Sequence, residues 1–373
     1  MTSDPTIARY FADVPDPRID RTKKHALPDI LLITLCAVIV GAESWDQVAT
    51  FGRSKRDWLR RFVPLSHGIP SPDTFERVFA RLQPTAFQTC VVEWLTAVCE
   101  ATGLKHVAID GKAVRGAKQP TFSGCLHLVN AWAVENRMIL GQEAVADKSN
   151  EITAIPKLLA VLDLTGALVT IDAAGCQKEI AQQIRDRGGD YLLAVKGNQP
   201  ALEAAVRRVF EQALATDFPE GDIDWDQTIE DGHGRHEERY VTVIADPAGL
   251  PADWPDVAAV VLVGSEREVK GVNASSARYF LTSRRGTAAE LGQFVRRHWA
   301  VENELHWCLD VNFREDASRV AAGHAGTNLG LVRRVALSLL KQAPGQDTGP
   351  TKRLKAALNE DFLEQVLQGN AGH

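Results

Sequence analysis

The sequence has no apolar run long enough to cross a bilayer: its longest, Ile30 to Gly41, falls short of the roughly 20 residues that a spanning helix needs. No basic segment with a cleavage site precedes that run, so no membrane partner is expected and the chain reads as cytoplasmic. The cysteines Cys36, Cys90, Cys99, Cys125, Cys176 and Cys308 form no C-x-x-C pair and lie scattered in apolar stretches, which argues against a zinc knuckle or a disulfide framework and for core thiols. There is no H-E-x-x-H, no Walker pattern and no repeat or low-complexity tract. Positive charge is not in excess either. With 42 Lys and Arg against 48 Asp and Glu the net charge is −6, which excludes a uniformly basic coat for nucleic acid but leaves room for a local basic groove.

What is there suits a globular protein. At 373 residues, 45% apolar and 24% charged, the chain has material for two or three compact units. Residues 1–100 read as helices, the clearest being SPDTFERVFARL, where Pro72 and Asp73 open a run with Phe75, Val78, Phe79 and Leu82 on one face. Five basic residues and one acidic residue lie between Arg53 and Arg61, either a solvated helix surface or a phosphate-contacting one. From Lys105 the pattern turns to strands: HVAIDGK, CLHLVNAWAVE and MILGQEAVA, a three-stranded meander. Helices at 152–162, 179–187 and 201–213 then alternate with the strands ALVTID and DYLLAVK. The order βββαβαβα predicts an α/β fold of the RNase H-like kind, a mixed sheet flanked by helices.

The stretch from Asp217 to Asp231 holds seven acidic residues and no Lys or Arg, and reads as a solvated connection. A β-rich group follows, and Thr287 with Glu290 forms a capping box for a helix entering RRHWAVENELHW. The expected division is a helical domain at 1–100, a catalytic domain at 101–221 and 284–342, a β-rich insertion at 222–283 and a C-terminal tail at 343–373 that carries Lys352, Arg353 and Lys355.

Two carboxylates stand out. Asp110 ends the first strand and Asp172 the fourth, and in this topology those strands are neighbours. Asp-Gly is also a common turn pair and Asp a common strand terminator, so neither is telling alone. Side by side, two acids repel unless a cation lies between them, and magnesium favours carboxylate oxygens together with water and phosphate. Glu302, on the late helix, is available as a third. On a continuous helix with 100° per residue it falls on the apolar face of Leu291, Val295, Leu305 and Leu309, whereas Glu304 points to solvent. Lys112, Arg115 and Lys118 follow Asp110, and Lys196, Asn198 and Gln199 follow the fifth strand; at that edge they suit either phosphates or plain solvation. His233, Arg235 and Arg239 in GHGRHEER form a second candidate DNA-contacting group or a charged hairpin tip, and His298 joins the DNA-contacting candidates. Trp299 and Trp307 read as packing residues.

Over almost its whole length the sequence resembles the ISAs-type insertion-sequence transposases of the Asp-Asp-Glu class, which include the H-repeat-associated proteins. The blocks that carry the resemblance are HALPDILLITLCAVIVGAESWDQVATFG, GIPSPDTFERVFARL, AIDGKAVRG, TIDAAGCQKEIA, DYLLAVKGNQ, GHGRHEER and RRHWAVENELHWCLDVNFREDA. The resemblance implies catalysis by Asp110, Asp172 and Glu302 on two Mg2+ or Mn2+ ions, with double-stranded DNA (element terminal repeats and target) as partner and a homodimer on that DNA. Related transposases carry a Tyr, an Arg and a Lys seven before, four before and seven after the Glu; Val295, His298 and Leu309 stand there instead. Two other readings are a catalytically silent DNA-binding remnant and a two-carboxylate glycosidase built on Asp110 and Asp172, the latter poor in the aromatic platforms that sugars need.

Overall fold

The computed structural model describes residues 6–98, 105–118, 124–146, 149–215, 223–232, 235–269 and 272–369. Six helices come first: α1 (Thr6–Ala12), α2 (Leu27–Val40), α3 (Trp45–Ser54), α4 (Arg56–Leu59), α5 (Pro72–Arg81) and α6 (Pro84–Val98). Strands β1 (His106–Lys118), β2 (Cys125–Ala133) and β3 (Met138–Ala144) follow, then α7 (Glu151–Ala160), β4 (Leu168–Ile171), α8 (Lys178–Asp186), β5 (Asp190–Val195) and α9 (Pro200–Ala215). Next come β6 (Ile223–Gly232), β7 (Arg235–Ala245), β8 (Ala259–Val269) and β9 (Val272–Thr282). The chain ends in α10 (Ala288–His298), α11 (Trp307–Phe313), α12 (Ala325–Gln342), α13 (Gly349–Leu358) and α14 (Glu360–Gln368). No single described helix is long and apolar enough to cross a membrane.

The chain divides into two compact units. One comprises Met1–Gly103, Gly111–Ser149 and Glu302–His373, the other Leu104–Asp110 and Asn150–Val301, so β1 has residues in both.

The first unit is organised around α12. Every residue from Ala325 to Leu340 is buried, polar ones included, as are almost all of the apolar α2, so both helices lie in the core. α12 packs on α2, α5, α6, α13 and β3. α5 starts at Pro72 as expected, and its Phe75, Val78 and Phe79 are buried. Its last carbonyls, those of Phe79 and Leu82, accept from Asn328 Nδ2 at 2.9 and 2.8 Å. The segment after 342, expected as a tail, is folded: α13 sends Arg353 back to the end of α2, where its guanidinium donates to the carbonyls of Val38 and Ile39 at 2.9 and 3.1 Å. Carbonyls at a helix C-terminus lack intrahelical donors and attract a cation, and the Gly and Pro flanking the segment concealed this use of its charges.

Charge also enters the core. Arg334 and Glu315, both without exposed surface, meet at 2.7 Å, and Arg334 Nε donates to Asn130 on β2. A neighbouring triple contact joins Lys112 of β1 to Asp310 at 2.7 Å and to Asp316 at 3.3 Å.

In the second unit β1 and β4 pair in parallel, β4 and β5 likewise, and β5 pairs antiparallel with β9. β9, β8, β7 and β6 continue as antiparallel neighbours. With β2 and β3 in the first unit, this is the mixed sheet flanked by helices of the RNase H-like class. The strands at 222–283 prolong the sheet beyond β5, which corrects the expectation that they are an insertion into the catalytic domain. The reason is apolar: Val241, Val243, Val261 and Phe280 share one core with Leu192 of β5 and with Leu291 and Val295 of α10. Part of the acidic stretch, expected as a connection, is itself strand β6, whose Asp224 accepts from Ala288 N at 2.6 Å and whose Glu230 pairs with Arg296 at 2.8 Å, so these acids face α10 while Trp225 and Ile229 are exposed.

Removing one partner of the Arg334–Glu315 pair strands a charge in the core. Glu315→Ala should therefore cost about 3–5 kcal/mol in a denaturant titration; a loss below about 1 kcal/mol, the level of an exposed pair, contradicts this burial.

Candidate active site

The register of β1 and β4 sets the site. Ile109 pairs with Ile171, so the next residue of each strand is an aspartate, Asp110 and Asp172, at adjacent positions of parallel strands. Asp110 is half-buried. Asp172 caps the 3-10 turn Ala173–Gly175, its Oδ1 accepting from the N–H groups of Ala174 at 3.1 Å and Gly175 at 3.4 Å. Gly175 is the only residue type that fits here, since a Cβ would run into Ile171. Two amides from the loop after β5 tie the turn down: Asn198 Nδ2 donates to Ala173 O at 2.6 Å, and Gln199 Nε2 donates to Cys176 O at 3.0 Å.

Burial raises the pKa of the Asp172 carboxyl above its ordinary value. The negative charge of Glu151, at the start of α7, adds to the rise, while the capping N–H groups and the Lys196 charge oppose it. Glu151 escaped the sequence reading because only the packing of α7 on the turn after Asp172 brings it near. A half-buried carboxylate beside a second negative charge is what a hard divalent cation stabilises, so these residues fit a magnesium or manganese ion. Among the described residues no ready-made group of three or more His, Cys, Asp or Glu side chains surrounds a metal position.

The helix carrying Glu302 differs from the expected one. α10 begins as anticipated, with Thr287 Oγ1 accepting from Glu290 N at 3.2 Å, but it ends at His298, and Val301–His306 winds as a π-helix before α11. The wider turn breaks the 100° progression, so Glu302 is exposed and not on the apolar face. It has no ion-pair or hydrogen-bond partner among the described residues. Glu304, in contrast, is held in the first unit by Arg137 at 2.9 Å and Lys341 at 3.4 Å. Of the two glutamates, Glu302 is the one whose charge is unspent.

The comparisons with known proteins decide the family. The family model described as "Transposase DDE domain" matches residues 101–337, and a model described as "DDE_Tnp_1-associated" matches residues 8–95. The chain belongs to the DDE transposases. It is 39% identical to "Putative transposase YncI" of Escherichia coli O157:H7, over 96% of this chain and 93% of that one. It is 35% identical to "H repeat-associated putative transposase YhhI" of Escherichia coli (strain K12), over 98% of both. A short relative, "Inactive transposase YbfQ" of the same strain, is 39% identical over 20% of this chain and 89% of its own length. Family membership removes the ground for the glycosidase reading.

Several of this transposase's cations and amides expected at DNA have other partners. Lys112 is buried between Asp310 and Asp316. Asn198 and Gln199 hold the turn after Asp172. Arg239 pairs with Glu237 at 2.7 Å and with Glu230 at 3.3 Å. His298 Nδ1 lies 2.9 Å from the hydroxyl of Thr170. Lys118 and Lys196 are exposed, as is the Arg115 side chain, which reaches Asp316 only at 3.5 Å. His233 and the side chain of Arg235 lie outside the described residues. Trp299 and Trp307, expected in packing, are 39% and 57% exposed, the first under the Arg278 guanidinium. In the basic cluster, Lys55 pairs with Glu360 and Arg61 with Glu364, both at 2.9 Å, so α14 neutralises part of it.

The raised pKa of Asp172 has a consequence for stability. Its ionised form is disfavoured in the fold, so the penalty is full above the folded pKa and vanishes as pH falls to the ordinary carboxylate value of 3.8. Asp172→Asn, whose amide oxygen can still cap the turn, should raise the melting temperature in EDTA at pH 7, with the gain shrinking on acidification. A lower melting temperature at pH 7 contradicts the penalty that burial and the Glu151 charge place on the ionised form.

Proposed function

We propose that the protein is the transposase of a bacterial insertion sequence, acting by two-metal strand cleavage and strand transfer at element ends. The observation that carries the proposal is the pair of aspartates at adjacent positions of the parallel strands, Asp110 within β1 and Asp172 just after β4, with burial and then the Glu151 charge raising the pKa of Asp172. Asp110, Asp172 and Glu302 are the ion ligands in this reading. Two bound Mg2+ or Mn2+ ions supply Lewis-acid activation of water and of the phosphodiester, and neutralise charge on the leaving oxygen.

The chain's own groups bind and orient. Lys196, exposed and close enough to Asp172 to lower its pKa, meets a phosphate beside the scissile one. Arg115 and Lys118 follow Asp110 along β1 and add backbone contacts, which position the duplex without reading its sequence. Asn198 and Gln199 act on the turn of Asp172 and not on DNA. The helices of residues 1–98 recognise the terminal repeats, with Arg53, Arg56 and Arg60 as the cations of the basic cluster that α14 does not engage. Two ends must be joined coherently, so the active form on DNA is a homodimer. Its workplace is the bacterial cytoplasm, on the nucleoid.

Purified protein, duplexes bearing the flanking element ends, and Mn2+ test this directly. Strand breaks should map to the element ends, disappear with EDTA, and be lost in Asp110→Asn, Asp172→Asn and Glu302→Gln while DNA binding persists. Glu304→Gln should cut at close to the wild-type rate. Binding without cutting by the wild-type protein would identify a silent remnant, and cutting by either Asn variant would overturn the ligand assignment.

A further inference from the structure

Three elements of the second unit meet at one hydroxyl. Thr170, buried in β4 two residues before Asp172, has its Oγ1 2.8 Å from His106 Nε2 and 2.9 Å from His298 Nδ1. His106 lies on β1 four residues before Asp110, and His298 is the last residue of α10, four before Glu302. A hydroxyl has one proton to give, so a continuous chain needs one imidazole nitrogen that donates and one that accepts. Neutral rings provide this. Burial pushes His106 down to about 3, with its neighbours His298 and Arg297 adding to the effect, and burial pushes His298 down to about 4. A second tie runs alongside, with the His106 ring edge-on to Phe294 of α10 at 5.2 Å between centroids.

A purely structural filler at this position needs no hydroxyl. Valine has the shape of threonine, but it leaves two imidazole nitrogens facing an apolar surface, at about 1–3 kcal/mol for each buried polar group left unmatched. Apolar contacts also tolerate sliding, whereas two short hydrogen bonds to one atom fix direction. The chain leaves α10 immediately after this junction and enters the π-helix that carries Glu302. The His298 ring is turned to β4, so this position supplies a tie within the fold.

We propose that Thr170 is a positioning residue for strand cleavage. Its hydroxyl, shared by His106 and His298, fastens the end of α10 to the two strands that lead into Asp110 and Asp172, and so fixes where the chain departs toward Glu302. The inference rests on the ligand assignment proposed above for these three acids.

The test compares Thr170→Val with Thr170→Ser on three readouts: Mn2+-dependent cleavage at saturating DNA, DNA affinity, and amide hydrogen exchange over residues 295–301. Thr170→Val should cut roughly ten- to a hundred-fold more slowly, the scale of a small misplacement of reacting groups, with unchanged affinity and faster exchange over 295–301. Thr170→Ser should recover most of the rate and the protection. Wild-type cleavage by Thr170→Val, or a serine variant no better than the valine one, overturns the proposal. Should Thr170→Val fail to fold, His298→Asn against His298→Ala gives the same contrast, because Asn keeps a polar group near the Nδ1 position. If the wild-type protein cuts no DNA, the nuclease reading fails, and the exchange of 295–301 in the valine variant still decides whether the tie exists.

Discussion

Four residue pairs of parallel β-structure, from His106 with Leu168 to Ile109 with Ile171, govern the second unit. Parallel pairing is in register along the strand, so the residues that follow the last pair, Ile109 with Ile171, lie side by side although β1 continues to Lys118. Here both next residues are aspartates. A one-residue slip would turn one carboxylate to the other face of the sheet, and the four buried residues of β4, three of them apolar, oppose such a slip because both faces of the strand are buried. The loop after β5 and the glycine at 175 then serve one purpose, to hold the turn in which Asp172 sits.

Charge is distributed by a common logic across the chain. With a net charge of −6, cations are not plentiful, and many are engaged internally: Arg334 by Glu315, Lys112 by two aspartates, Arg239 by two glutamates, Arg353 by the end of α2. What remains free is sparse and local, as at Lys196 and Lys118. This suits a protein that must hold DNA at defined points. A continuous basic surface would bind any duplex and lose the distinction between element ends and the rest.

The meander, the alternation of helices and strands through α9, and the neighbouring aspartates were legible because each follows from local periodicity plus the right-handed crossover. The long blocks of resemblance added the family. The sequence did not disclose the π-helix at Val301–His306, since a wheel drawn at 100° assumes an unbroken α-helix, and this error put Glu302 on the wrong face. Nor did it disclose which cations were spent, because the partners of Lys112 are about 200 residues away in sequence. Thr170 and His106 were visible as polar residues inside apolar strands, LVTID and HVAID, and that mismatch was the available signal for their shared hydrogen bonds. The folded C-terminal segment was missed for a simpler reason: its Gly and Pro residues flank helices instead of interrupting them.

The central claim, that Asp110, Asp172 and Glu302 hold the divalent ions, is tested most directly by exchanging Mg2+ for Fe2+ and generating hydroxyl radicals with ascorbate and peroxide. Radicals formed at a bound iron cut the nearest backbone, and mass spectrometry of the fragments locates the ion without requiring DNA cleavage. The account predicts scission near residues 110, 172 and 302, suppressed by excess Mg2+ and by Asp172→Asn. Scission confined to other segments, or unaffected by Mg2+, would contradict it.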